Sequence, residues 1–196
     1  MHARALPGFP ERVIAMARIP YRDVRTLSDE SREFITRRGE LNVFRLLSNA
    51  DDIFRGWAGW VDALVDADGI APQLRELVIL RVAHLQQSGY VVAQHEDAAR
   101  RLRIPERLLA AVRTGGDLGK AGFDVIELAV LRLVTELLET KHVAAKTFAA
   151  VRSVLGDEAT VELLLWVHLY SGLALVLNAA EVEIDASARF RPTDDA

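Results

Sequence analysis

The apolar side chains of this chain recur every three or four residues along most of its length, which is the spacing of one face of an α-helix. One such face begins with Leu74, Leu77 and Val78, just after Pro72, a residue suited to the first turn of a helix. Nowhere does an apolar-polar alternation of period two persist, so no strand is indicated. The pattern predicts an all-α fold of six to eight helices, with short connections and antiparallel neighbours.

Breaks in this pattern set the limits of the predicted helices. Ser28 is a candidate N-cap for a short helix, and Ser88-Gly89 divides a later stretch into a helical hairpin. Beyond the short helix, the expected helices cover about residues 51–66, 72–87, 91–103, 105–114, 123–140, 142–155 and 157–180. The predicted domains are an N-terminal arm at 1–45, a helical domain at 46–185 and a C-terminal tail at 186–196.

The composition excludes several classes of function. The formal net charge is -4, and acidic and basic residues are interleaved, so no basic stripe could bind a phosphate backbone. We therefore expect no nucleic-acid partner. The sequence contains no Cys, which excludes disulfides, thiolate catalysis and thiolate metal sites.

Membrane and secretory segments are not indicated either. The start MHARALPGFPERV contains two prolines and lacks the apolar core of a secretory signal. The stretch Val161–Ala180 is long enough to span a bilayer, but Glu162, His168 and Asn178 interrupt it. We expect a buried core helix there, no membrane partner and a cytoplasmic protein.

Two residues of the predicted hairpin combine ionisable side chains with apolar surroundings. Glu76 lies in a run of leucine, valine and isoleucine, where a buried carboxylate is either paired or placed for proton transfer. An exposed Glu76 would instead only favour the first turn of its helix. His95 shares a helical face with Val91 and Val92, so it is either a proton-transfer residue or a core histidine bonded to a carbonyl.

A metal site has little support in the sequence. The five histidines include no pair three or four residues apart, so only folding could bring Glu76, His84 and His95 together. His84 follows Glu76 by eight residues, near the same face, and is a weaker candidate site residue. There is also no glycine-rich phosphate loop. We predict no metal and no cofactor.

The spacing of these residues resembles the motif of the carboxymuconolactone decarboxylase and alkylhydroperoxidase D family. In that family a Glu is followed by eleven residues, a Cys, two residues, a second Cys, three residues and a His. This chain has Glu76, Ser88, Val91 and His95 at the same spacing, so the Glu and His match and both thiols are replaced. The similarity is best over about residues 55–115 and extends to about 180.

The resemblance implies an alkylhydroperoxidase D-like orthogonal helical bundle, a homo-oligomer, and a proton relay through Glu76 and His95. It also implies that peroxidase chemistry is absent, because the second Cys is the peroxidatic thiol of the family and Val91 replaces it. The decarboxylase branch works without the cysteine pair, and Tyr170, Ser171 and Gly172 loosely resemble a helix near its active site.

Further pocket residues follow from the same segments. Tyr170 and Asn178 fall on one helical face, from which they would either bond a ligand or satisfy buried groups. Ser88 and His84 complete the predicted substrate-binding set.

Two hypotheses of different classes therefore stand. The first is a carbon-carbon lyase or isomerase, in which His95 and Glu76 move a proton on a small carboxylated or lactone-like molecule. The second is a helical scaffold or small-molecule binder that has lost the family's chemistry. In both cases we expect a dimer, trimer or hexamer, because Trp57, Trp60 and the helix at 161–180 offer more apolar surface than one small domain hides.

Overall fold

The computed structural model describes residues 17–115 and 118–186, and within these ranges the chain contains helices and turns but no strand. The predicted all-α class is therefore confirmed. The α-helices are α1 Asp29–Arg38, α2 Asn42–Leu47, α3 Asp51–Val65, α4 Pro72–Leu85, α5 Gly89–Arg101, α6 Glu106–Thr114, α7 Val125–Thr140 and α8 Ala145–Ala180. The start of the predicted arm and nearly all of the predicted tail lie outside the described residues.

The chain forms two compact units. The central unit is Ala67–Leu175, and the terminal unit combines the residues up to Asp66 with those from Val176 onward. The predicted division at residues 45 and 185 stays a prediction.

In the terminal unit, α1 to α3 surround an aromatic cluster. Ser28 caps α1 as predicted, because its side chain accepts a hydrogen bond from the backbone N–H of Ser31. The cluster consists of Phe34, Phe44, Phe54 and Trp57. Trp57 and Trp60 are each half-buried, so they offer less exposed surface than the sequence suggested. Trp57 stacks on Phe54 within this cluster.

In the central unit, α4 packs against α5, α6 and α7. The helix is apolar on nearly all sides, as expected of a helix surrounded by others. Its Leu77 and Leu80 join a core cluster that α5, α6 and α7 complete. The other buried members of this cluster are Ala99, Ile104, Leu108, Leu109, Val112, Leu118 and Leu131. A capping box of Asp124 and Glu127 fixes the start of α7.

The long helix α8 contains a break at Gly156, whose φ of 80° and ψ of 178° are not helical. The two helices predicted at 142–155 and 157–180 therefore correspond to the two parts of α8. By length and composition α8 could cross a membrane, and 44% of its most apolar 18-residue window is buried inside the structure. The core helix of a soluble protein passes the same test.

Candidate functional site

A tight turn between α4 and α5 positions the candidate site. The helix α4 ends at Leu85, and Gln87 then adopts the left-handed conformation with a φ of 53°. The backbone N–H of Ser88 donates to the Ala83 carbonyl at 2.9 Å, which closes the turn. The helix thus ends before residue 87, the limit predicted from its apolar pattern.

This early end of α4 brings Glu76 and His95 close together along the axis of the hairpin. Glu76 lies nine residues before the end of α4 and His95 six residues after the start of α5, so their offset along the hairpin is only about 5 Å at 1.5 Å per residue. The two side chains span that offset: Nδ1 of His95 lies 2.8 Å from Oε2 of Glu76. The resemblance implied such a relay, and the structure supplies the contact it requires.

Both members of this pair are removed from water. Glu76 is 6% exposed and His95 is 5% exposed. Of the two alternatives for Glu76, the structure therefore shows the buried and paired carboxylate rather than the exposed one. A carboxylate bonded to Nδ1 fixes the orientation of the imidazole ring and favours the tautomer that carries hydrogen on Nδ1.

Tyr170 from α8 is the third residue at this position. Its ring meets the His95 ring edge to face, with ring centroids 4.9 Å apart and an interplanar angle of 90°. Trp166 stacks on Tyr170 with ring centroids 6.0 Å apart, and the guanidinium of Arg75 lies 5.2 Å from the Trp166 ring centroid. The indole N–H of Trp166 donates to Oε1 of Glu162 at 3.3 Å. A row of aromatic rings therefore leads from the buried histidine to a cationic side chain.

Trp166 and Arg75 were not among the predicted site residues. Trp166 precedes Tyr170 by four residues, so the two share a helical face, and this spacing was the available signal. No sequence signal placed Arg75 beside Trp166, because the two belong to different helices.

Ser88 occupies the first position at which the resembled motif has a thiol. Its side chain is fully buried, and its hydroxyl has no hydrogen-bond partner among the described residues. Val91 occupies the second thiol position and is also buried. Val91 and His95 lie four residues apart on one face of α5, and Ser88 is the residue just before that helix. Close by in sequence, Gln86 Nε2 donates to Ser171 Oγ at 2.6 Å, which ties the turn to α8 beside Tyr170.

His84 faces other charged groups. The pKa of His84 is lowered from 6.5 to about 4, mainly by burial and also by the nearby Arg113 and Arg81, while Glu96 opposes the shift. In the same part of the protein, Glu96 forms ion pairs with Arg100 and Arg113, each at 2.9 Å.

Asn178 belongs to the terminal unit, whereas Glu76, His95 and Tyr170 belong to the central unit. Its backbone carbonyl accepts a hydrogen bond from the N–H of Glu181 at the end of α8. Asn178 and Tyr170 therefore share a helical face only through their positions along α8. In residues 17–115 and 118–186, no group of three or more His, Asp or Glu side chains could hold a metal ion.

Comparisons with known proteins agree with this arrangement. The model of the carboxymuconolactone decarboxylase family matches residues 51–117, which contain the α4–α5 hairpin and both members of the buried pair. Among solved structures, the chain is similar to an alkylhydroperoxidase AhpD core described as an uncharacterized peroxidase-related protein from Ralstonia eutropha JMP134. That match has a TM-score of 0.73 at 20% identity, and covers 89% of this chain and 95% of the other. A search of curated proteins found no significant match.

The fold and the hairpin thus define the class: an all-α protein with the alkylhydroperoxidase D fold. Within that class, residues 51–117 of the chain match the model of the carboxymuconolactone decarboxylase family. The chain lacks cysteine throughout its sequence.

Proposed function

We propose that the protein is an acid–base enzyme, a decarboxylase or isomerase, acting on a small carboxylated or lactone-like molecule. The observation that carries the proposal is the 2.8 Å contact between the buried Glu76 carboxylate and Nδ1 of His95. A positioned histidine whose Nδ1 bonds a carboxylate is suited to proton transfer through its other nitrogen.

In a decarboxylation, the bond between a carbon atom and its carboxylate breaks and carbon dioxide leaves. The electron pair spreads from that carbon through the ring double bond onto the lactone carbonyl. His95 then delivers a proton from Nε2 to the ring carbon next to that carbonyl, and water returns a proton to the imidazole. Glu76 keeps Nδ1 protonated and stabilises the cationic ring before the transfer.

Ser88 and Tyr170 are the proposed binding residues beside the pair. The buried Ser88 hydroxyl, which has no partner among the described residues, would donate to a carbonyl or carboxylate oxygen. Tyr170 would limit the space around the His95 ring, because its ring edge already contacts it. His84 and Asn178, which the sequence also suggested, are not needed for this step.

A specific test is turnover of carboxymuconolactone, the compound in the family's name. We expect release of carbon dioxide and, in D₂O, one deuterium at the ring carbon next to the lactone carbonyl. His95→Gln should reduce the rate by about 10²-fold or more, as removal of a general acid does, and Glu76→Gln should also reduce it. His142→Gln, at an exposed histidine, is the matched control and should keep the wild-type rate.

Two outcomes would contradict the enzymatic proposal: a wild-type rate no higher than that of heat-inactivated protein, or full activity in His95→Gln. Binding of the lactone without turnover would favour the second hypothesis, a scaffold or small-molecule binder. Two observations support this second hypothesis: both thiol positions are replaced, and His95 is only 5% exposed.

An assay of hydroperoxide reduction tests whether the thiol-dependent peroxidase activity is absent. We expect no turnover of an alkyl hydroperoxide with a dithiol reductant, because neither Ser88 nor Val91 can form a sulfenic acid or a disulfide. The assay compares hydroperoxide loss with native and heat-inactivated protein. Faster loss with the native protein would disprove this expectation.

A further inference from the structure

A cavity lies in the central unit, on a different side of α4 from the Glu76–His95 pair. Its volume is about 470 Å³, within the usual range of small-molecule sites. Its polar lining includes Arg81, Arg132, Thr135, Glu136, Glu139 and Thr147. Arg81 follows Glu76 by five residues on α4, which is about 140° around the helix axis. The cavity and the buried pair are therefore two separate sites.

Arg81 is the buried cation of this cavity. It is only 4% exposed, yet it lines the cavity surface. Its Nε donates to the hydroxyl of Thr135 at 2.9 Å, and its Nη1 donates to the carbonyl of Val112 at 3.1 Å. Among the described residues, Arg81 makes no ion pair with a carboxylate. An arginine has five N–H donors, so the two terminal nitrogens retain donors for another acceptor.

The surroundings compensate only part of the charge on Arg81. Val112 lies in the last turn of α6, where the helix end supplies roughly half a negative charge. Gly115, which follows α6, lies against the guanidinium, and a Cβ there would come within 2.8 Å of Nη1. Glycine at position 115 therefore leaves the space that the guanidinium of Arg81 occupies.

The acidic residues of the lining do not neutralise this cation directly. Glu136 Oε1 accepts from the backbone N–H of Ala144 at 2.7 Å, and Thr147 also bonds its carboxylate, which lowers its pKa. Glu139 is exposed and acts on Arg81 only through its charge, while burial lowers the pKa of Arg81. A buried guanidinium without a direct anionic partner is costly, and a bound anion would relieve that cost.

We propose that this cavity binds a small molecule through a carboxylate group, which pairs with the terminal nitrogens of Arg81. A carboxylate matches the planar guanidinium with two parallel hydrogen bonds. Thr135 holds the guanidinium in place through Nε, so its orientation is fixed before the ligand binds. Arg132 and Glu139, both exposed, contact the part of the ligand nearest the solvent.

Benzoate is a suitable probe, because benzamide has nearly the same shape without the charge. The protein would be titrated with each compound and followed by ¹H–¹⁵N correlation spectra that include the Arg81 Nε–H signal. We expect saturable shifts at Arg81, Thr135 and Glu136 with benzoate, and binding of benzamide weaker by about tenfold or more.

Variants assign the binding to Arg81. Arg81→Gln should weaken benzoate binding by about tenfold or more, whereas Arg101→Gln, with the same change of charge at an exposed position, should not. Arg81→Lys keeps the charge but loses the planar donor pair, and should also weaken binding. If Arg81→Gln does not fold, Arg81→Lys and the comparison of benzoate with benzamide still test whether Arg81 binds the carboxylate.

The proposal fails if benzoate and benzamide bind equally, or if the shifted signals lie away from these residues. It also fails if Arg101→Gln weakens binding as much as a folded Arg81 variant, or if no saturation occurs up to about 50 mM benzoate, a concentration above any useful affinity. Failure of turnover at His95 would not affect these outcomes, because the binding assay does not depend on catalysis.

Discussion

The buried Glu76–His95 pair links α4 to α5 by a hydrogen bond between two polar side chains. Such a pair is costly to disrupt from one side, since the remaining group stays buried without its partner. Replacing both groups by apolar ones of similar volume is much less costly, because no desolvated polar atom remains. This asymmetry separates the contribution of the pair to folding from its proposed role in proton transfer.

At His95 we expect two substitutions to differ in stability. His95→Gln keeps a donor for Glu76 and should cost about 1 kcal/mol of unfolding free energy or less. His95→Leu leaves the Glu76 carboxylate buried without a donor and should cost about 3 kcal/mol. Urea denaturation of each variant measures the difference. The double variant Glu76→Leu/His95→Leu should recover much of the loss, and additive losses in the double variant would contradict the argument.

His84 should make the fold sensitive to acid. Its pKa falls from 6.5 to about 4 in the folded state, so between these values the unfolded chain binds a proton that the folded chain does not. The unfolding free energy therefore decreases as pH falls through this window. Because His84 is only half-buried, we expect a contribution of about 1 kcal/mol.

Denaturant unfolding between about pH 7 and pH 4.5 measures this effect. The variant His84→Gln should lose less stability than the wild type over that range. His142→Gln, at an exposed histidine, should behave like the wild type. Equal acid sensitivity of the wild type and His84→Gln would rule out His84 as a source of this pH dependence.

The break in α8 requires the glycine at position 156. The φ of 80° and ψ of 178° at Gly156 belong to a region that is almost restricted to glycine. A Cβ at Gly156 would meet no atom within 4 Å, so a substitution there acts through backbone strain rather than through a clash. The two parts of α8 are therefore set at an angle by the backbone of one residue.

Two glycines of α8 should respond oppositely to alanine. Gly156→Ala should lower the unfolding free energy by about 1–3 kcal/mol through backbone strain. Gly172→Ala is the matched control, because Gly172 is helical, exposed and also has no atom within 4 Å of an added Cβ. It should raise stability by about 0.5–1 kcal/mol. A thermal or urea melt decides, and a neutral or stabilising Gly156→Ala would refute the strain argument.

At the scale of the whole molecule, we expect a homo-oligomer: a dimer, trimer or hexamer. The second part of α8 exposes a row of apolar side chains, with Val161, Leu165 and Leu175 exposed by 56%, 39% and 58%. These three residues lie within about 80° around the helix axis, so they form one stripe. Large apolar side chains exposed on one face of a helix are typical of protein interfaces.

Light scattering after size exclusion tests the oligomer. The wild-type mass should be a multiple of the 21.7 kDa chain, and Leu165→Glu should shift it towards the monomer, since a buried charge opposes association. Val125→Glu is the control, because Val125 is 73% exposed and lies on α7. A monomeric wild type at about 10 μM, a concentration at which a stable oligomer persists, would contradict the expectation.

The sequence determined the helical class, most helix limits and the spacing from Glu76 to His95, because helix periodicity and turn signals are local properties of the chain. It also showed that no thiol chemistry is available. The tertiary structure decided which side chains meet. It fixed the 2.8 Å Glu76–His95 contact through the early end of α4, and it added Tyr170 to the pair.

The same reason explains what local patterns missed. Trp57 is shared between the surface and an aromatic cluster, and Arg81 is a buried cation inside a leucine-rich helix. Neither environment follows from residue spacing, since burial depends on how helices cross and which faces their side chains cover. Spacing along a helix specifies its faces, and only the packing of helices specifies what each face contacts.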